Sequence, residues 1–127
     1  MSDPVILVAE DERDIRELIV FTLQLNGFDV VEVSNGAEAV RKAEEIRPDL
    51  ILMDVRMPKM TGYEACQELK AKEATRDIPI VFLSAKGQEA EVNAGLELGA
   101  EEYFLKPFAP DELSARVNSI LIRYGKL

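Results

Sequence analysis

Histidine is absent from this chain, and cysteine occurs once, at Cys66. A lone cysteine forms no intrachain disulfide, and the lack of histidine argues against a zinc site of the usual kind. An oxygen-ligated, hard cation remains open. No apolar run approaches membrane-spanning length, and the Met-Ser-Asp-Pro start lacks the basic-then-apolar layout of a signal peptide, so the cytoplasm is the expected compartment, with no membrane contact. Bases are in short supply: 15 stand against 24 acids, for a formal net charge of −9. That charge repels phosphate backbones and anionic lipid, so direct nucleic-acid binding by this domain is not expected, and a partner with a basic or apolar face is. With no internal repeat, low-complexity tract or linker, the 127 residues read as a single domain, 1–127. A chain of that length buries a core without disulfide or metal staples.

Five strand-like runs alternate with five helix-like stretches. Val5–Ala9 is almost wholly apolar, as a strand covered on both faces should be. Residues 12–26 follow as a helix with Ile15, Leu18, Ile19, Thr22 and Leu23 at helical spacing, and Gly27 suits a left-handed C-terminal cap. Asp29–Val33 reads as an edge strand. Residues 37–46 form a helix with Ala39, Val40, Ala43 and Ile46 inward, stopped by Pro48. Strand 50–53 precedes a helix over 62–72 that carries Tyr63, Cys66 and Leu69. Strand 78–83 has Pro79 at its start, where a missing N–H costs little. Residues 89–98 make a weaker helix interrupted by Gly95, strand 103–105 follows, and the last helix begins near Pro110 and buries Leu113, Val117, Ile120 and Leu121. Strict alternation of this kind predicts an α/β fold, a doubly wound parallel sheet of five strands with five helices over its two faces.

Each core strand breaks off into polar residues. Val5–Ala9 runs into Glu10 and Asp11, the third strand ends at Asp54 and opens the turn Asp54-Val-Arg-Met-Pro58 that leads to Gly62, the fourth ends at Ser84, and the fifth ends at Lys106-Pro107. In an open parallel sheet these groups gather at the carboxyl ends of neighbouring strands, where such sheets bind ligands. A carboxylate closing a buried strand is costly unless something there uses it.

Taken together, the acidic pair Glu10-Asp11, the Asp54-to-Pro58 turn with Gly62, the hydroxyl in Phe82-Leu-Ser84-Ala85 and the run Tyr103-Phe-Leu-Lys106-Pro107-Phe108 resemble the receiver domain of bacterial two-component response regulators, over about residues 4–124. The resemblance implies a flavodoxin-like fold of strand order 2-1-3-4-5, and a signalling switch that promotes its own phosphorylation and dephosphorylation, better called a switch than an enzyme. It implies that Asp54 accepts a phosphoryl group from a sensor histidine kinase or phosphotransfer protein. Glu10, Asp11, Asp54 and the backbone carbonyl of Arg56 would hold Mg2+, while Lys106 and Ser84 contact phosphoryl oxygens. Ser84 and Tyr103 would form the switch that signals to an effector domain or downstream protein. A carboxylate suits this role because acyl phosphates stay labile, and a charge-spread transition state calls for cations and donors around it.

Plainer roles stand beside these. Glu10 and Asp11 also suit the first turn of a helix, where acids favour its dipole; Asp54 suits a turn, Ser84 likewise, and Lys106 a solvated surface. Tyr103 is also compatible with ordinary packing at a sheet end. Three other functions stay in view. An aspartate-nucleophile phosphatase of the haloacid dehalogenase type wants a second aspartate two residues on, where Arg56 stands; a flavodoxin-like electron carrier is opposed by Glu10-Asp11-Glu12, which would repel a flavin phosphate. A phosphorylation-independent docking module is the third. Finally, the face of the fourth helix, fifth strand and fifth helix resembles receivers of winged-helix regulators, which pair through it when phosphorylated. There Glu97, Glu101 and Glu102 would meet Arg116 and Arg123 of a second copy in a phosphorylation-dependent homodimer, with Glu112 on the same face, although Val92 stands where the basic partner of Glu112 is expected. The end of the chain after the last helix fits a stand-alone regulator or a receiver cut from a longer one.

Overall fold

The computed structural model describes residues 3–84, 99–105 and 109–127. Five parallel strands, β1 (Val5–Ala9), β2 (Asp29–Val33), β3 (Leu50–Asp54), β4 (Ile80–Ser84) and β5 (Glu102–Leu105), form one sheet of order β2-β1-β3-β4-β5. Four helices are described: α1 (Arg13–Leu25), α2 (Gly36–Ile46), α3 (Gly62–Ala71) and the terminal helix α4 (Pro110–Arg123). The fifth expected helix, over 89–98, lies outside the described residues. No described helix is long and apolar enough to cross a membrane.

Strand alternation sorts the core onto two faces. Leu7, Ala9, Ile51, Met53, Ile80 and Phe82 pack with Ala39, Val40 and Ala43 of α2 and Ala65, Cys66 and Leu69 of α3. On the opposite face Ile6, Val8, Leu50, Leu52, Val81, Leu83 and Phe104 pack with Ile19 and Leu23 of α1 and Leu113, Val117, Ile120 and Leu121 of α4. The three central strands are buried on both sides, which is why they read as continuous apolar runs, and β2 at the edge is only partly buried.

Register and helix ends decide where the polar strand ends fall. The pairs Ala9↔Met53, Asp54↔Leu83 and Ser84↔Leu105 bring the last residues of β1, β3, β4 and β5 to one edge. The helix α1 closes through Gly27, whose φ of 87° lets its N–H reach the Gln24 carbonyl at 3.1 Å while the Phe28 N–H returns to Leu23 at 3.2 Å. The start of α2 is held by the Asn35 side chain on the Glu38 N–H at 2.9 Å. At the start of α3, Thr61 and Glu64 form a reciprocal capping box.

Two expectations need correction. Leu18 does not face the core: it is 45% exposed, with Phe21 and Leu25 exposed near it, because Ile19, Thr22 and Leu23 already fill the buried stripe of α1. The fourth strand begins at Ile80 rather than Ile78. The Ile78 N–H turns back to the Thr75 carbonyl at 3.1 Å, and the Pro79 carbonyl accepts from Ile51 at 3.0 Å before the ladder starts.

Candidate functional site

Glu10 follows β1 directly and is fully buried; its N–H donates to the Val33 carbonyl at 3.1 Å and its carbonyl accepts from Arg16 Nη1 at 2.9 Å. Its carboxylate accepts the Glu12 N–H at 3.1 Å, at the entrance of α1. That contact satisfies a helix-start donor, so the plainer role foreseen for Glu10 does operate, and it aims the side chain at the strand edge. Asp54, 6% exposed, closes β3. Carboxylate oxygens of Glu10, Asp11 and Asp54 all lie within 4.8 Å of one another, two of the three residues being buried and Asp11 exposed. Carboxylates this close, two of them on buried residues, could share a cation, and an all-carboxylate set suits a hard ion such as Mg2+.

The turn after Asp54 is built for close approach. The Val55 N–H continues the ladder to the Leu83 carbonyl at 3.1 Å, and the Val55 carbonyl accepts the Gly62 N–H at 2.8 Å, so the loop carrying Arg56 is closed at its base. A Cβ on Gly62 would collide with the Asp54 carbonyl oxygen, so only glycine lets α3 begin there. Val55 and Met57 are buried and Arg56 is exposed between them. Ser84, 4% exposed, follows Leu83, the residue paired with Asp54, which places its hydroxyl on the neighbouring strand end. Lys106 lies outside the described residues, as do Glu97, Val92, Pro107 and Phe108.

Tyr103 on β5 is half-buried and pairs with Phe82, ring centroids 6.2 Å apart. On the outer side of β5, Glu101 and Glu102 meet the terminal helix within the same chain. Arg116 pairs with Glu102, Arg123 reaches Glu101 at 3.2 Å and Glu102 at 3.3 Å, and Arg116 also lies 5.5 Å over the Phe104 ring. Tyr124 donates to Glu101 at 2.7 Å, and burial together with that bond pushes its phenol up to about 12. Glu112 is exposed in the first turn of the helix.

Two residues near the site escaped the sequence reading. Arg16 bridges the Glu10 carbonyl and Glu32 of β2, at 2.9 and 3.1 Å. The only signal was its place on the first turn after an acidic strand end. Tyr63 was read as a core position, yet its hydroxyl lies 3.4 Å from that of Tyr103.

The model of the response regulator receiver domain matches residues 6–118. The alkaline phosphatase synthesis transcriptional regulatory protein PhoP of Bacillus subtilis is 46% identical over 118 residues, 93% of this chain and 48% of its own length. The phosphate regulon transcriptional regulatory protein PhoB of Escherichia coli is 46% identical over 122 residues, 96% of this chain and 53% of its own. The chain thus spans about half the length of these curated relatives. Among solved structures, the receiver domain of a sensor histidine kinase from Pseudomonas aeruginosa, with a magnesium ion coordinated in its active-site cleft, superposes with a TM-score of 0.86 at 36% identity, over 93% of this chain and 97% of that one. The chain belongs to the response regulator receiver family of two-component signalling, a switch rather than a classical enzyme.

Proposed function

We propose that this receiver accepts a phosphoryl group on Asp54 from a histidine kinase or phosphotransfer protein. The observation that carries this is the convergence of Glu10, Asp11 and Asp54 at one sheet edge, with Ser84 on the adjacent strand end. An Asp54 carboxylate oxygen bonds to phosphorus as the bond from phosphorus to the donor imidazole nitrogen breaks, and the electron pair leaves with that nitrogen. Glu10, Asp11, Asp54 and the Arg56 backbone carbonyl would hold Mg2+, which would neutralise the crowded carboxylates and the phosphoryl oxygens. Lys106 and the Ser84 hydroxyl contact those oxygens, and movement of Ser84 is relayed to Tyr103. The same site supports hydrolysis of the acyl phosphate, which resets the switch.

Incubation with Mg2+ and a small acyl phosphate adds one phosphoryl mass, and Asp54→Asn abolishes it; equal labelling of the variant would refute the assignment. The exposed face of α1 offers a kinase partner an apolar surface, with Leu18, Phe21 and Leu25 at helical spacing. Phe21→Lys slows transfer from the kinase and leaves labelling by the small donor intact. Loss of both rates together would remove that face from the reading.

Output passes to an effector domain or downstream protein, and a chain of net charge −9 leaves any contact with nucleic acid to that effector. A phosphorylation-dependent homodimer through β5 and the terminal helix, with Glu97, Glu101 and Glu102 facing Arg116 and Arg123 and Glu112 on the same face, requires Glu101, Glu102, Arg116 and Arg123 to give up or share their in-chain pairs. Exposed pairs are individually weak, so such an exchange costs little. Sedimentation with and without a beryllofluoride adduct decides it: a monomer in both states, or a dimer indifferent to Arg116→Glu, excludes this face.

A further inference from the structure

Tyr63 stands between the phosphoacceptor and the switch aromatic. Its neighbour Gly62 is bonded to the Val55 carbonyl at 2.8 Å and pressed against the Asp54 carbonyl, with no room for a Cβ. The capping box of Thr61 and Glu64 makes the start of α3 one rigid turn, so the Tyr63 backbone is tied to the strand end that carries Asp54. On its other side the Tyr63 ring meets Phe82 edge-on, centroids 5.0 Å apart at 87°, and its hydroxyl lies 3.4 Å from that of Tyr103. Phe82 pairs in register with Tyr103, and Ser84, two residues further along β4, falls on the same face of the sheet.

We propose that Tyr63 is a positioning residue for the Tyr103 ring, coupling it to the Asp54 backbone through Gly62 by a route separate from the Ser84 hydroxyl. The proposal rests on the reading of Tyr103 as a switch. Any shift of the Asp54–Val55 backbone on phosphorylation displaces Gly62, and with it the phenol that faces Tyr103. A ligand effect of this sort requires a contact that differs between the two states, and the hydroxyl pair is one that a turn of Tyr103 breaks. At 3.4 Å that pair is long, so its expected bias on the Tyr103 orientation is about twofold. The edge-to-face contact with Phe82 holds the Tyr63 ring in place while this happens.

The chain contains three tyrosines, so uniform 3-fluorotyrosine labelling yields three fluorine resonances that single tyrosine-to-phenylalanine variants assign. Tyr63→Phe keeps the ring and its Phe82 contact and deletes only the hydroxyl. The expected result is a Tyr103 resonance moved by an orientation shift of about twofold. In a Ser84→Ala background, a residual Tyr103 response to beryllofluoride persists and is lost when Tyr63→Phe is added. A Tyr103 signal that responds normally to the adduct in the parent chain, yet is indifferent to Tyr63→Phe with and without it, overturns the proposal alone. If beryllofluoride leaves Tyr103 unmoved in the parent chain, the switch reading fails. The adduct-free effect of Tyr63→Phe then decides separately whether the hydroxyl contact holds.

Discussion

The two faces of the sheet are buried to the same depth with different materials. Under α1 and the terminal helix, the strand residues, aliphatic except for Phe104, meet large aliphatics, Ile19, Leu23, Leu113, Ile120 and Leu121, with Val117 among them. Under α2 and α3 the helices contribute mostly small residues, Ala39, Ala43, Ala65 and Cys66, and the sheet presents Phe82 with Tyr103 beside it. The second face also holds two groups that burial perturbs. Burial pushes the Cys66 thiol up and the Lys70 ammonium down, and Lys70 ties the loop before β4 by donating to the Arg76 and Ile78 carbonyls at 3.0 and 2.9 Å. The first face therefore packs large aliphatic helix side chains on the sheet, and the second packs small ones around the Phe82 ring, with Tyr63 and Tyr103 beside it. Helix starts divide the same way: α2 and α3 have side-chain caps, from Asn35 and Thr61, whereas α1 and α4 begin at Glu12 and Ala109 with none.

The largest expected effect tests the first face. Leu23→Ala should cost about 2–5 kcal/mol, since a fully buried aliphatic leaves a cavity, and Cys66→Ala on α3 about 1 kcal/mol. Urea midpoints at constant m measure both. Equal losses would break the contrast between the faces.

The caps give a smaller and two-way test. Asn35→Ala should lose about 1 kcal/mol, because the Glu38 N–H loses its acceptor, and Ala109→Ser should gain a similar amount by supplying one to the terminal helix. A neutral Ala109→Ser would show that the start of the terminal helix is satisfied by other means.

The smallest effect lies at the rim, where Tyr124 meets Glu101. Its folded-state pKa, pushed from 10.0 up to about 12, lies above the unfolded value, so the stability it contributes is present below pH 10 and is lost as the pH rises towards 12. Tyr124→Phe should flatten that alkaline decline in denaturant midpoint, and only modestly, since the residue is 40% exposed. An unchanged slope in the variant would remove Tyr124 from the alkaline response.

Much of this is legible in the amino-acid sequence. Strands covered on both faces must be apolar throughout, so β1, β3 and β4 announced themselves, and the polar residues after them marked the edge where Glu10, Asp11, Asp54 and Ser84 meet. Helical spacing places Leu18 inward because it shows that a stripe exists, whereas the width of that stripe is set by neighbours. The left-handed backbone of Arg47 and Lys59, with φ of 46° and 69°, carries no residue signature, since neither is glycine or asparagine.

By itself the amino-acid order determined the alternating elements, the polar strand ends and the acidic surface, because local periodicity and composition act without reference to distant parts of the chain. Only the tertiary structure decided that Arg16 would bridge Glu10 and Glu32, that Glu101 and Glu102 would find Arg116 and Arg123 within their own chain, and that Tyr63 would face Tyr103 across forty positions. Those contacts depend on register and on how closely the helices approach the sheet, which long-range packing sets and no local segment encodes.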